Sequence, residues 1–383
     1  MRNPVFIGSA FVAQYPEGGG NFWVPLQYLL GLRDLGVDAW WLELLWTRGD
    51  PVRDRYNVET FRRYVADLGV ADRVVLVFFP ETTRTEPPGR AQVLGMDARE
   101  LAARQRDALL LNMAESVPAA LRQAFGRTAL FDLDPGPFQL WAREWGMGVG
   151  AHDAHVTIGQ HLGAPDSPVP LGGVDWRRVW PAVHLPAWPV QQIPAERWTT
   201  VSQWWTNQYA FLDGDCYDCN KRTGFLDVLD LPARARVPLE LAANLHADEH
   251  EDRALLARHG WRLVEPAVVA GTPQAFRAYV QGSRGEFSCA KPAYVKARAG
   301  WVSDRTVCYL ASGRPCVVQA TGAEAHLPAS PGLRFFHDVG EAAEALAAVE
   351  ADYDAAARAA RALAEEVFAT RVVVPQLLAA AGA

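Results

Sequence analysis

Long apolar runs and blocks of like charge are both missing from this sequence of 383 residues. No apolar run approaches the roughly 18–20 residues that a helix needs to cross a bilayer, and the first residues do not have the pattern of a secretion signal. No stretch is dominated by Lys or Arg, and the formal net charge is −7. Nucleic acid is therefore not indicated as a partner, nor is an anionic membrane surface. We expect a cytoplasmic protein.

Cysteine is scarce, with five residues in the whole chain. Cys216 and Cys219 form one C-x-x-C pair, but a zinc site usually needs a second pair or closely spaced histidines. Neither is nearby. We expect free thiols and no structural metal, as is usual in a reducing compartment.

The chain is too long for one hydrophobic core, because a single core rarely exceeds about 250–300 residues. The first segment reads as a strand over 5–12, a helix from Asn21 to Gly36, and a second strand over 37–45. A strand, a crossover helix and another apolar strand predict a right-handed βαβ unit in a parallel sheet.

Further short apolar runs predict more strands in both halves of the chain. They lie at 73–79, 108–113, 128–134, 198–204, 237–243, 261–266 and 315–319. The Pro-, Gly- and Trp-rich segment 164–198 opposes regular structure and reads as an ordered connection. We therefore predict an α/β protein with two Rossmann-like lobes, residues 1–196 and 197–383. A long Ala-rich helical stretch over 339–381 ends the chain and could cross back to the first lobe.

The second half contains a helix–strand–turn pattern that suits phosphate binding. Ser303 can cap a helix that Gly313 ends, residues 316–319 form a buried strand, and a turn at Thr321-Gly322 follows. Ligands bind beyond the carboxyl ends of strands in open α/β sheets, and a helix N-terminus there attracts anions. We predict that Arg284, Lys291 and Arg305 neutralise a diphosphate. A solvated helix face is the alternative.

This stretch, SRGEFSCAKPAYVKARAGWVSDRTVCYLASGRPCVVQATG (283–322), resembles the donor lobe of bacterial GT-B glycosyltransferases. The resemblance covers most of the chain, since it extends to the segments 15–32, 132–139, 152–159, 199–205, 225–232 and 260–266. It implies two lobes that face a cleft, with a sugar nucleotide held by the C-terminal lobe. The implied function is transfer of a sugar from a nucleotide-diphosphate sugar to the hydroxyl of a small molecule or glycan, without a further cofactor.

The resemblance also implies a set of donor-binding residues in both halves of the chain. They are Gly19, Gly20, Asn21, Arg284, Glu286, Ser288, Lys291, Ser303, Asp304, Arg305, Gln319, Thr321 and Gly322. The sequence departs from the family at Cys308, where many retaining enzymes carry a glutamate that contacts the donor. The stereochemical course of transfer is therefore left open.

The glycine cluster Gly18-Gly19-Gly20 follows the first strand and allows close approach of the backbone to a ligand. It is not a G-x-G-x-x-G sequence, so the dinucleotide fingerprint is absent. A plain βα turn is the alternative interpretation.

A catalytic base is predicted in the segment His152-Asp153-Ala154-His155. An inverting transfer needs a group that takes the proton of the acceptor hydroxyl, and a histidine or a carboxylate suits that role. We predict that this segment lies at the cleft edge and that Asp153 or His155 is the base, with His152 beside them. A structural role is the alternative, and Glu17 is the next candidate base.

Asp132-Leu133-Asp134 resembles the D-x-D of metal-dependent glycosyltransferases, but we expect it to fix the following Pro-Gly turn instead. The predicted reaction is therefore metal-independent. Two other functions are compatible with the fold, a sugar-nucleotide epimerase or hydrolase and a sugar-nucleotide-binding protein without activity. A modified DNA base as acceptor is disfavoured by the acidic charge balance.

Overall fold

A computed structural model describes residues 3–81 and 91–383, and it contains two large sheets. The first sheet has the order β4-β3-β2-β1-β5-β6-β7-β8, and all neighbours are parallel except β3 and β4. Its strands are β1 (Val5–Ile7), β2 (Ala39–Trp46), β3 (Val74–Phe79), β4 (Gln92–Leu94), β5 (Leu109–Met113), β6 (Arg127–Asp132), β7 (Ala154–Thr157) and β8 (Trp176–Arg178).

The second sheet is parallel throughout, with the order β13-β12-β9-β14-β15-β16, and β10 and β11 form a separate antiparallel hairpin. These strands are β9 (Trp198–Gln203), β10 (Tyr209–Leu212), β11 (Asp215–Asp218), β12 (Leu239–Asn244), β13 (Arg262–Val264), β14 (Gly285–Ser288), β15 (Cys316–Gln319) and β16 (Leu333–Phe336).

Helices separate most of the strands, as parallel sheets require. They are α1 (Gly19–Asp34), α2 (Pro51–Asp67), α3 (Ala98–Gln105), α4 (Ala119–Arg122), α5 (Pro137–Trp145), α6 (Lys221–Asp227), α7 (Leu231–Ala235), α8 (His250–Arg258), α9 (Pro266–Val269), α10 (Pro273–Gln281), α11 (Pro292–Lys296), α12 (Asp304–Ala311), α13 (Val339–Ala351), α14 (Tyr353–Leu363) and α15 (Thr370–Ala381). Within the described ranges, none of these helices is long and apolar enough to cross a membrane.

The central strands are buried on both faces, which explains their near-continuous apolar sequences. Strand β2 is buried along its whole length, and Glu43 is its only charged residue. The Glu43 carboxylate accepts hydrogen bonds from Trp41 Nε1 at 2.9 Å and from Ser9 Oγ at 3.2 Å. Burial raises the pKa of this carboxyl to about 7.

Three sequence predictions about elements are wrong in detail. The first strand ends at Ile7, and α1 begins at Gly19 rather than after Asn21. The predicted long helix over 339–381 is divided, because the Asp352 side chain accepts a hydrogen bond from Ala355 N and starts a new helix. Strands β4, β8, β14 and β16 and the β10–β11 hairpin were not predicted, and β8 lies within the segment 164–198 that was expected to oppose regular structure. All five cysteines are free.

The last helix returns to the first sheet, where α15 packs against α1 and β7. A backbone bridge between Val183 and Ala369 holds this return in place. The carboxyl ends of the strands in both sheets face a common cleft, since the last residue of β12 and residues that follow β1, β6, β13 and β14 all line it.

Candidate functional site

The cleft between the two sheets has a volume of about 1090 Å³ and is lined by both lobes. The first lobe contributes the loop after β1, the start of α1 and the end of β6. The second lobe contributes the ends of β9 and β12, the start of α6 and the first turn of α12. This is the crevice at strand ends where open α/β sheets bind ligands.

Gly19 and Gly20 line the cleft, but their closest neighbours belong to the protein. A Cβ atom on Gly19 would lie 2.2 Å from the carbonyl of Thr272, and one on Gly20 would lie 2.9 Å from the Phe276 ring. Trp23 Nε1 also donates a hydrogen bond to Pro273 O at 3.0 Å. The glycines therefore allow the two lobes to come into contact. The sequence had suggested instead that these glycines allow the backbone to approach a ligand.

Arg305 lines the cleft and is held by three acceptors. Its Nε donates to Glu286 Oε1 at 2.6 Å, Nη2 donates to Ser288 Oγ at 2.5 Å, and Nη1 donates to Val201 O at 2.7 Å. Glu286 and Ser288 are buried in β14 behind the guanidinium and do not line the cleft. Glu286 and Ser288 therefore hold the Arg305 side chain in position and do not face the cleft themselves, although the resemblance had implied that they bind the donor.

The first turn of α12 faces the cleft, with Ser303 as its N-cap. Ser303 Oγ accepts a hydrogen bond from Arg305 N at 3.2 Å, as the sequence predicted for a cap. Asp304 follows and also lines the cleft, and burial raises the pKa of its carboxyl to about 6.

Lys221 is the functional candidate that sequence reasoning missed. It begins α6, lines the cleft and is only 7% exposed. Its ammonium lies 5.7 Å from the centre of the Trp301 ring. Among the residues that the structure describes, no side chain forms a hydrogen bond or ion pair with this ammonium, although the Glu286 carboxylate attracts it from a distance. Burial, and then the charge of Arg305, hold its pKa well below the ordinary value.

The position of Lys221 explains why it was overlooked. It follows the β10–β11 hairpin, an insertion that separates it by 18 residues from the strand end at Gln203. A lone Lys next to a C-x-x-C pair has no motif of its own. The available signal was a cation at the N-terminus of a helix, followed by Thr223 and Gly224.

Lys291 lines the cleft and forms an ion pair with the first lobe. Its Nζ lies 3.0 Å from Asp134 Oδ1 and 3.1 Å from Oδ2, and the Tyr294 hydroxyl donates to the same carboxylate. Asp134 therefore connects the lobes, whereas Asp132 fixes the turn as expected. Asp132 accepts hydrogen bonds from Gln139, Thr157 and the backbone N–H of Asp134, and burial raises its pKa to about 6.

Gln319, Thr321 and Gly322 do not line the cleft but support the loop that does. Gln319 Oε1 accepts from Ala290 N at 3.1 Å, and Thr321 Oγ1 donates to Trp301 O at 2.7 Å. Gly322 has a φ of +95°, a conformation that favours glycine. These three residues shape the loop rather than offering groups to the cleft.

The placement of Arg284 in the donor site is wrong. It precedes β14, so it lies at the amino edge of the second sheet, opposite the cleft. Its guanidinium pairs with Glu350 at 2.6 Å and stacks over the Tyr353 ring at 3.8 Å. Both partners belong to the helices that pack behind the sheet, which gives Arg284 a structural role.

The prediction that the His152–His155 segment lies at the cleft edge is also wrong. Asp153 Oδ2 accepts from Thr128 N at 2.8 Å, near the start of β6, so the segment lies at the amino edge of the first sheet. His152 and His155 both contact Val149 O, at 3.3 and 2.7 Å. None of the three predicted residues lines the cleft. The i, i+2 spacing of Asp153 and His155 is typical of a strand, but it does not indicate whether these residues lie at the end of the strand that faces the cleft.

Glu17 and Asn21 do line the cleft from the first lobe. The Glu17 carboxylate pairs with Arg53 at 2.6 Å and is partly exposed. This pair brings α2 to the rim of the cleft. Cys308 lines the cleft floor, where Gln27 Nε2 lies 3.4 Å from its sulfur.

No family model and no curated protein matches this sequence. Solved structures do match over the whole chain. HepE from Anabaena, solved in complex with UDP and glucose, aligns with a TM-score of 0.63 at 12% identity, covering 100% of this chain and 99% of that one. An alpha-glucosyltransferase in complex with UDP gives a TM-score of 0.57 at 8% identity and full coverage of both chains.

Sucrose-phosphate synthase from Thermosynechococcus elongatus aligns with a TM-score of 0.56 at 13% identity, covering 98% of this chain and 97% of that one. At such low identities the likeness establishes the fold. The protein therefore has the GT-B fold, two Rossmann-like lobes that face a cleft, as the sequence predicted.

Proposed function

We propose that this protein is a glycosyltransferase that takes a sugar from a nucleotide-diphosphate sugar and transfers it to an acceptor hydroxyl. The proposal is supported by the GT-B fold and by the charge of the cleft. HepE and the alpha-glucosyltransferase, two structural neighbours solved with UDP, share this fold. In the proposed arrangement the diphosphate lies against the second lobe, and the acceptor enters along the first.

The ammonium of Lys221, which faces the cleft from a largely buried side chain, carries the proposal. Charges in largely buried surroundings are normally paired, because removing them from water costs free energy. Lys221 is 7% exposed and lacks a partner among the described residues, while Arg305 beside it adds a second positive charge. An anionic ligand restores the balance. The first turn of α12, which the cleft also contains, offers backbone N–H groups to the same anion.

The rest of the donor has a continuous path across the second lobe. Asn244 ends β12 and Pro266 follows β13, and both line the cleft beyond the cations. We place the nucleoside there and the sugar near Trp301 and Tyr294, whose rings stack at 4.5 Å. The acceptor, a small molecule or glycan, is proposed to enter near Glu17 and Asn21.

Binding measurements test the donor site directly. Calorimetry with UDP, dTDP and GDP should identify one nucleotide that binds the wild-type protein. Lys221→Met should weaken that binding by about ten- to a hundredfold, because a charge-assisted contact contributes about 1.5–3 kcal/mol. The fold should not be weakened, since Met removes an unpaired buried charge.

Lys296→Met is the matched control, because Lys296 lies in the same lobe but pairs with Asp215 away from the cleft. Its nucleotide affinity should equal that of the wild-type protein. Binding that is unchanged in Lys221→Met would refute the proposed site. Consumption of the nucleotide sugar only in the presence of an acceptor would indicate transfer. Consumption without an acceptor would indicate an epimerase or hydrolase.

A further inference from the structure

The ion pair between Asp134 and Lys291 joins the two lobes inside the cleft. Asp134 follows β6 in the first lobe, and Lys291 follows β14 in the second. Both carboxylate oxygens lie within 3.1 Å of the ammonium. The side chains are 25% and 17% exposed, so the pair is largely shielded from water.

Asp134 is held in position from behind. Its backbone N–H donates to Asp132 Oδ1 at 2.9 Å, and Asp132 is itself fixed by Gln139 at 2.8 Å and Thr157 at 2.7 Å. The backbone of Asp134 is therefore fixed, and its carboxylate keeps the hydrogen bond from the Tyr294 hydroxyl if Lys291 moves away. A carboxylate fixed in this way is prepared to accept a hydrogen bond from another group.

The three cations that the described residues contribute to the cleft differ in the origin of their partners. Arg305 pairs with Glu286 of its own lobe, behind the cleft wall. Lys221 has no partner in the described parts of the chain, and Lys291 takes its partner from the opposite lobe. The carboxylate of Asp134 therefore occupies the position beside Lys291 to which a phosphate group of a bound diphosphate would be attracted.

We propose that Asp134 is a ligand for a hydroxyl of the donor sugar, and that it is masked by Lys291 until the donor's phosphate takes that lysine. This inference rests on the proposed function. In the empty cleft the ammonium occupies both carboxylate oxygens. When the more highly charged diphosphate binds Lys291, Oδ1 keeps the hydrogen bond from the Tyr294 hydroxyl, and Oδ2 becomes free beside the sugar that is attached to the diphosphate. An ionised carboxylate accepts strong hydrogen bonds from hydroxyl groups.

The test compares two variants for which opposite results are expected. Lys291→Met should weaken binding of the nucleoside diphosphate by about tenfold or more. Asp134→Asn should instead strengthen it, by about two- to fivefold, because Lys291 no longer has to leave an ion pair. In Asp134→Asn the additional affinity that the sugar gives to the intact nucleotide sugar should fall by about tenfold.

Calorimetry uses the nucleotide that the wild-type protein selects, with and without its hexose. Asp175→Asn, which removes an exposed charge from the same lobe, is the control and should change neither affinity. If Asp134→Asn weakens diphosphate binding as Lys291→Met does, Asp134 only positions the lysine and the proposal is overturned. If the sugar's contribution is unchanged, the proposal is overturned as well. A wild-type protein that binds no nucleotide would reject the proposed function before any variant is compared.

Discussion

The segment 152–155 and the cations of the cleft are two clusters of titratable side chains, one at the amino edge of the first sheet and one at the carboxyl ends of the strands. They differ in whether the protein supplies a partner for each side chain. At the amino edge of the first sheet, His152 contacts Asn112 at 3.0 Å and Asp153 contacts Thr128 at 2.8 Å. In the cleft, Lys221 is equally buried but has no such partner in the ranges the structure describes. Both clusters are rich in titratable groups.

The difference shows what distinguishes a structural cluster from a binding site. Buried polar groups are normally hydrogen-bonded, because an unmade hydrogen bond costs free energy. A group whose partners are complete and come from its own lobe contributes to folding and has little left to offer to a ligand. A cation that lines a cleft and lacks a partner is available to a ligand that enters the cleft.

The largest expected effect concerns the satisfied cluster and the pH. Burial, and then the charge of Arg122, lower the pKa of His152 to about 4. Between that value and its ordinary value of 6.5 the unfolded chain binds more protons than the folded one. Stability should therefore fall as the pH drops from about 6.5 to about 4, by up to about 3 kcal/mol.

Urea unfolding of His152→Gln across this pH range checks the prediction. The variant should lose less stability on acidification than the wild-type protein. Only the difference between them counts, because Glu43 and Asp132 have raised pKa values and act in the opposite direction. Exposed His246 provides the control variant, His246→Gln. Parallel pH profiles for all three proteins would contradict a buried, neutral His152.

A smaller effect is expected from Asp153→Ala. The change leaves the backbone N–H of Thr128 without its acceptor, which should cost about 1–3 kcal/mol of stability. Nucleotide affinity should stay within about twofold of the wild-type value, because Asp153 does not line the cleft. Thermal unfolding and calorimetry measure the two quantities. A loss of nucleotide binding in a stable variant would return Asp153 to the site, with exposed Asp175→Ala as the reference.

Much of the fold was predictable because it depends on local patterns. Continuous apolar runs indicate buried parallel strands, and the cap at Ser303 and the strand over 316–319 were found from a few residues. The short strand β14 was missed, since Gly285–Ser288 contains two polar residues that are buried against Arg305. That burial is decided by a partner distant in sequence.

The site was less predictable because partners cannot be read from residue types. Arg284 and Arg305 look alike in the sequence. Arg284 forms an ion pair with Glu350 at the edge of the sheet opposite the cleft, whereas Arg305 lines the cleft. Lys221 is a candidate because of what it lacks, and a missing partner becomes visible only when the chain is folded. The sequence therefore indicated the lobe that carries the cations better than it indicated the cations themselves.

The smallest expected effect is that of a chelator, which should leave turnover of the nucleotide sugar unchanged. Asp132 and Asp134 resemble a metal-binding D-x-D, and Asp134 lines the cleft. They therefore test whether side chains that already have partners in the protein are unavailable to a ligand inside the cleft as well. Asp132 already accepts three hydrogen bonds and Asp134 pairs with Lys291. In the empty cleft a divalent cation would have to break these contacts, and once the donor is bound Lys291, Lys221 and Arg305 already supply positive charge for its diphosphate. Turnover is measured in EDTA and after addition of Mn²⁺ or Mg²⁺. Activity that disappears in EDTA and returns with either cation would show that partnered carboxylates can still serve as ligands, and the distinction between satisfied and unsatisfied groups would fail at the cleft edge.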